Sequence, residues 1–256
     1  DPARDRPNLK IQANALTEGL TFEGKRCTGV RYRIDGQARE ATANREVILS
    51  AGSINSPQLL ELSGIGQGER LKELGIEVRH ELKGVGENLR DHYSPRMKWS
   101  VPRELGLTYN DKGRGLGLVW QALKYALTDK GLLGIPASPI RAYVRTREGL
   151  EAPDAAISWM PFLANENFQL HKDSGITAIT HVLRSDSTGS IHVTSSDPDK
   201  APAIRFNFLS AQSDRDILLE SIRITRRIMN AGPMKEVAHD EMAPGVNLQS
   251  DDDLLE

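Results

Sequence analysis

Two short stretches of the chain combine residue types that can do chemistry. In Ala51-Gly52-Ser53, three small residues follow the apolar run Val47-Ile48-Leu49 and precede a segment with helix signals. Backbone N–H groups at such a joint gather near a helix N-terminus. Small side chains there let a ligand approach the main chain closely, which suits a phosphate. In Asp91-His92, a carboxylate stands beside an imidazole at the end of the Gly-rich segment 83–92. By itself, such a pair also reads as an ordinary surface or capping pair.

The elements that must position these residues are legible in outline. Residues 8–16, 27–34 and 45–52 carry β-branched and alternating apolar positions and predict strands. Glu23–Lys25 and Asp35–Gln37 are turn signals between them. Val47-Ile48-Leu49 is short and wholly apolar, as in a parallel strand covered on both faces. Ser56 as N-cap and Pro57 as first helical residue predict a helix ending at Ser63-Gly64. A second helix is expected over 67–74, closed by Gly75, then a short strand over 75–82 and a loop over 83–92.

Beyond residue 93 the texture changes. Leu116, Val119, Trp120, Leu123 and Leu127 form one helical stripe, read as core packing. Residues 138–146, 154–162, 175–184 and 189–195 predict strands, with a long loop over 163–175. No helix separates the last two strands, so an antiparallel pairing between them is expected. Ser213-x-x-Asp216 resembles a capping box and opens a helix with Leu218, Ile222, Thr225 and Met229 on one face. Arg226 and Arg227 suit its last turn, and Gly232-Pro233 stops it. Neither an internal repeat nor a low-complexity segment is found.

Composition narrows the function classes. The 256 residues carry a formal charge of −2, with basic and acidic residues intermixed. A nucleic-acid binder would concentrate basic charge, so that class is disfavoured. No apolar run is long enough to span a bilayer. The single cysteine, Cys27, excludes an internal disulfide framework and a Cys-cluster metal site, and favours a cytoplasmic setting. No metal site is read. The chain starts at Asp1 rather than Met, and Ser250–Glu256 opens a helix that is not continued. The expectation is a fragment.

The segment Ala51–Gly66, "AGSINSPQLLELSGIG", closely resembles the second signature of the glucose–methanol–choline (GMC) oxidoreductases, which are FAD-dependent. The match rests on Ser53, Ser56, Pro57, Leu59, Leu60, Ser63, Gly64, Ile65 and Gly66. "RPNLKIQANAL" is similar to the family segment whose backbone holds adenine. "GVGENLRDH" is similar to its loop beside the flavin, and "GSIHVTSSDPDKAPAIRFNFLS" to its substrate domain. The resemblance implies an α/β plus α+β fold: a partial FAD-binding Rossmann-like domain over 1–92, then an antiparallel-sheet substrate domain with helices over 93–256. It places Leu16 against adenine. Ala51, Gly52 and Ser53 would lie near the diphosphate or ribose of FAD, and Asn88, Asp91 and His92 on the flavin side. It implies oxidation of a primary alcohol to an aldehyde, with a small-molecule alcohol as partner and an electron acceptor that the residues do not identify.

The family's N-terminal G-x-G-x-x-G segment and its C-terminal segment, a catalytic His followed by a His or Asn, have no match here, so no catalytic residue is assigned. A non-catalytic truncated binding module, or one half of a split enzyme, is the alternative. Choline-acting members tend to place a carboxylate two residues after the Asp-His pair, where this chain has Ser94, which favours an uncharged alcohol. Tyr93, Trp99 and Trp159 read as core rather than as a cage for a cation.

Overall fold

The computed structural model describes residues 2–165, 167 and 169–255. Its elements, in chain order, begin with β1 (Leu16–Glu23), β2 (Arg26–Ile34), β3 (Gln37–Thr42), α1 (Gly52–Leu62), β4 (Ile65–Gly66), α2 (Gly68–Glu73), β5 (His80–Glu81) and β6 (Glu87–Leu89). Then come β7 (Arg96–Ser100), α3 (Tyr109–Lys112), α4 (Gly115–Thr128), β8 (Ile140–Val144), β9 (Ala155–Met160) and β10 (Gly175–Val182). β11 (Gly189–His192), β12 (Ala203–Arg205), α5 (Gln212–Met229), α6 (Gly232–Lys235), β13 (Glu241–Ala243) and α7 (Asp251–Leu255) complete the chain. They form two compact units. One holds residues up to Arg90 together with Thr188–Asn207, and the other holds Asp91–Ser187 and the residues from Phe208 onward. The division expected from sequence is linear, whereas 188–207 packs with the first unit.

In the first unit, β1, β2 and β3 form an antiparallel meander. Asp35 (φ 50°) and Gly36 (φ 77°) turn β2 into β3. Positive φ at both central residues is what a tight hairpin between right-twisted strands requires, and an Asp-Gly pair meets it. β12, β11 and β6 form a second antiparallel sheet, and β4 pairs parallel with β5. A small core gathers around Leu71, Ile76 and Val193.

Several expectations are corrected here. The first strand starts at Leu16, and residues 8–15 lie in no strand. Val47-Ile48-Leu49 also lies in no strand, and Ile48 is 77% exposed. A parallel strand is buried only when neighbours take its backbone groups on both sides, and none among the described residues pairs with this run. α1 begins at Gly52 rather than at Ser56, with Ala51 as its N-cap. Gly52 (φ 85°) makes the turn, so Pro57 falls in the second helical turn. Of the strand expected over 75–82 only β5 forms, and the loop expected over 83–92 contains β6.

The second unit is built on a five-stranded antiparallel sheet, ordered β13-β7-β10-β9-β8. α5 covers it, burying Leu218, Ile222, Thr225 and Met229 as its spacing predicts. Each large apolar side chain so buried contributes about 1.5–3 kcal/mol. Thr180 Oγ1 bonds Ser221 Oγ at 2.7 Å inside this interface, so the buried hydroxyls are satisfied. Trp99 is buried and Trp159 packs against the same core. Ser250 and Asp253 cap α7 reciprocally.

Three expectations differ in this unit. β10 pairs with β7 and β9, not with β11, which pairs with β6 and β12 in the first unit. The turn between β10 and β11 is held instead by Asp214, which accepts from Asp186 N and Ser187 N at 2.9 Å each. Ser213 forms no capping box: its hydroxyl donates to Asp186 Oδ2 at 2.7 Å, and Ala211 is the N-cap. α4 buries none of its residues, with Leu116 at 88% and Leu127 at 74% exposure. Its main neighbours are the short α3 and the single turn Leu132–Gly134, too small to cover a four-turn apolar helix.

Candidate functional site

The start of α1 is open. Ala51, Gly52, Ser53, Ile54 and Asn55 are exposed, no side chain caps the helix, and its first turn carries no acidic residue. The first backbone N–H groups of a helix lack intrahelical acceptors, so they point outward as donors. A Cβ added to Gly52 would meet nothing within 4 Å, which leaves room against the main chain. These features fit an anionic group such as a diphosphate.

The end of α1 is closed, and this fixes the direction of its start. Ser63 Oγ accepts from Leu20 N at 2.8 Å and donates to Leu59 O at 2.6 Å, tying the helix to β1. Gly64 has φ 84°, and a Cβ there would lie 2.3 Å from Glu77 O. Its carbonyl accepts from Arg79 N at 2.8 Å. A Cβ at Gly66 would press on Glu61 at 3.2 Å. The Ser-Gly-Ile-Gly run is therefore a packing device that anchors the helix.

Two clefts flank α1 in this unit. One, about 550 Å³, is lined by Leu16, Ala51, Ile54, Gln58, Lys200 and Ile204 among others. Its α1 and β1 walls mix apolar residues (Leu16, Ile54, Leu59, Leu62) with polar ones (Thr17, Asn55, Gln58). The other, about 370 Å³, is lined by Ser53, Pro57 and the β6 segment including Asn88. Asn88 has φ 60°, a conformation asparagine tolerates better than most residues. Of the residues chosen from sequence, Leu16 and Ala51 thus share one cleft, and Ser53 and Asn88 share the other. Gly52 lies between Ala51 and Ser53 at the helix start.

Asp91 and His92 belong to the second unit. His92 N bonds Asp91 Oδ1 at 2.8 Å, and Ser94 Oγ donates to His92 O at 3.1 Å. The His92 ring stacks on His181 with centroids 4.4 Å apart. Burial, then the neighbouring His92 and Arg141, hold the His181 imidazole below its usual range. His181 gives no sequence signal, because it reads only as one residue of an alternating strand. Glu61 and His192 were missed for another reason: they lie 131 positions apart, yet their side chains meet at 2.7 Å in the first unit. Among the described residues no group of three or more His, Cys, Asp or Glu is placed to hold a metal ion. No described helix is long and apolar enough to cross a membrane.

An open helix start flanked by two clefts defines a unit with room for a ligand that carries an anionic part. The chain belongs to the GMC oxidoreductase family, whose amino-terminal and carboxy-terminal sequence profiles match residues 1–94 and 185–256. The cofactor of that family is FAD. The chain is 36% identical to an oxygen-dependent choline dehydrogenase of Chromohalobacter salexigens, over 99% of this chain and 45% of that protein. It is also 36% identical to an oxygen-dependent choline dehydrogenase of Pseudomonas aeruginosa, over 100% of this chain and 46% of that protein. It therefore spans about half the length of the curated relatives it matches. In fold it matches a formate oxidase (TM-score 0.89, 23% identity, 98% of this chain and 49% of that one). It also matches a pyridoxine 4-oxidase of Mesorbium loti (TM-score 0.77, 19% identity, 99% and 45%).

Proposed function

We propose that the protein carrying this chain oxidises a primary alcohol to an aldehyde with FAD. Bound FAD supplies the hydride acceptor. In this reading the first unit orients the cofactor. The backbone at Leu16 lies against adenine, and the α1 start at Ala51, Gly52 and Ser53 donates to the diphosphate or ribose. Asn88, on β6 of the same unit, lies on the flavin side. The observation that carries the reading is the uncapped start of α1 beside the cleft it shares with Leu16. No residue of this chain is assigned as the base that takes the alcohol proton.

For the substrate, the relatives' names point to choline, and Ser94 points to an uncharged alcohol. Ser94 offers a hydroxyl already bonded to His92 O, with no negative charge to pair with a quaternary ammonium. We favour the uncharged alcohol. Oxygen is the first acceptor to try, because the relatives are named for it.

The test is made on the protein as its source produces it. Flavin is released by denaturation and identified, and the native protein is mixed anaerobically with choline or with short primary alcohols. Bleaching of the flavin band by an uncharged alcohol supports the reading. Bleaching by choline alone overturns the substrate choice. A protein without flavin, or one bleached by no alcohol, overturns the function.

A further inference from the structure

The first unit contains a chain of three ionisable side chains that the proposed function does not use. Glu61, on α1, is fully buried. Its Oε2 accepts from Val193 N at 2.7 Å, and its Oε1 meets His192 Nδ1 at 2.7 Å. The other ring nitrogen, Nε2, meets Glu87 Oε1 on β6 at 3.0 Å. Glu87 Oε1 also accepts from Gln67 Nε2 at 2.6 Å. The charged groups facing His192 are thus Glu61 from α1 and Glu87 from β6. Its cross-strand neighbour on β12 is Ala203. Gly86 makes room for the ring, since a Cβ there would lie 2.7 Å from Nδ1.

An ionised carboxylate can only accept hydrogen bonds, and a neutral imidazole donates from one nitrogen only. With both carboxylates ionised, both bonds form together only when each ring nitrogen carries a proton. The chain of bonds joins α1, which carries Ser53, to β6, which carries Asn88, and these two residues line the same cleft. Glu87 itself lies on that cleft wall.

We propose that His192 is a positioning residue that, as an imidazolium bridging Glu61 and Glu87, locks β6 to α1 and so sets the cofactor cleft. When the ring loses a proton, the bond to the fully buried Glu61 persists, because breaking it would strand that carboxylate. The bond to the half-exposed Glu87 is the one lost, and β6 loosens at Asn88. The link to FAD rests on the function proposed above.

The test uses the protein as its source produces it, in wild-type and Glu87→Gln forms. A Gln amide can donate to a neutral Nε2, so this variant keeps the bridge without the extra proton. Three quantities are followed across a pH series. They are the ¹⁵N signature of the His192 ring, hydrogen exchange at Glu87–Leu89 corrected for its intrinsic pH dependence, and FAD affinity. In the wild type, loss of the doubly protonated signature should coincide with faster exchange and roughly tenfold weaker FAD binding, the scale of one charge-assisted bond. Glu87→Gln should flatten both pH profiles.

A singly protonated ring at the acid end overturns the proposal. So does a Glu87→Gln variant that follows the wild-type profile. If FAD binds at no pH, the cofactor reading falls, and exchange at Glu87–Leu89 alone decides the latch. Exchange that tracks the ring signature upholds it, and exchange that ignores the signature overturns it.

Discussion

Substituting alanine at two glycines of the first unit should separate backbone strain from steric conflict. Gly64 (φ 84°) and Gly75 (φ 72°) both occupy the left-handed region. An L-residue there costs about 1–2 kcal/mol, partly offset by the lower entropy of an unfolded chain with one glycine fewer, about 0.4–1 kcal/mol. At Gly75 a Cβ would meet nothing within 4 Å, so Gly75→Ala should cost only this balance, about 1 kcal/mol. At Gly64 the same Cβ would lie 2.3 Å from Glu77 O and 3.2 Å from Arg79 N. The backbone over 77–79 must move, loosening the bonds that Arg79 N and His80 N donate to Gly64 O at 2.8 and 3.1 Å. Overpacking adds about 1–3 kcal/mol and each weakened bond up to about 1 kcal/mol. Gly64→Ala should therefore cost about 3–5 kcal/mol in all. The assay is urea unfolding with peptide-level hydrogen exchange on α1 and α2, so that the first unit is followed by itself. Equal losses for the two variants, within about 0.5 kcal/mol, would refute the claim that close contact is what demands Gly64. Gly52→Ala extends the series. Its Cβ also meets nothing, so its stability loss should match that of Gly75→Ala, while FAD retention falls if the α1 start holds the cofactor. Unchanged retention would count against that role.

Other perturbations probe the remaining links. Ser63→Ala removes the acceptor of Leu20 N and should cost about 1–2 kcal/mol in the same urea assay. Asp214→Ala strands the donors of Asp186 N and Ser187 N and the Ser185 hydroxyl, and should cost about 3 kcal/mol or more, read on the second unit. Burial opposes the Asp214 charge, but bonds from Ser185, Ser187 and Asp186 outweigh it and hold the carboxyl below its ordinary range. A lowered folded-state value means the stabilisation is complete above the ordinary carboxylate range, about pH 4, and is lost as acid protonates the group. Urea midpoints should fall below that pH in the wild type, and Asp214→Asn should remove this part of the fall. Trp120→Glu with Leu127→Glu should reduce binding of a hydrophobic dye with little change in urea midpoint, because both side chains are mostly exposed. An unfolded double variant would show that α4 packs more firmly than its exposure indicates.

Local signals and the family resemblance were legible because they depend on neighbours in sequence. Asp35-Gly36 specifies its turn through backbone conformation alone. The stripe of α5 reports which face it buries, and Ser250 caps α7 with its own third neighbour. The "SPQLLELSGIG" run carries the family, although only the coordinates explain it: Ser63 reaches Leu20, and Gly64 touches Glu77. Some readings failed where a local pattern was compatible with two tertiary outcomes. The apolar stripe of α4 is the same whether or not another element covers it. Val47-Ile48-Leu49 reads as a buried strand only if partners exist on both sides.

The sequence by itself determined the tight turns, the buried stripe of α5 and the family, because each is encoded in local residue patterns. Only the tertiary structure decided that β11 leaves its neighbour β10 to join β6, and that Glu61 meets His192 across 131 positions. It also decided which clefts Leu16, Ala51, Ser53 and Asn88 line. Those outcomes depend on which distant backbone and carboxylate groups find partners when buried. That requirement acts on the folded chain as a whole, and residue spacing does not record it.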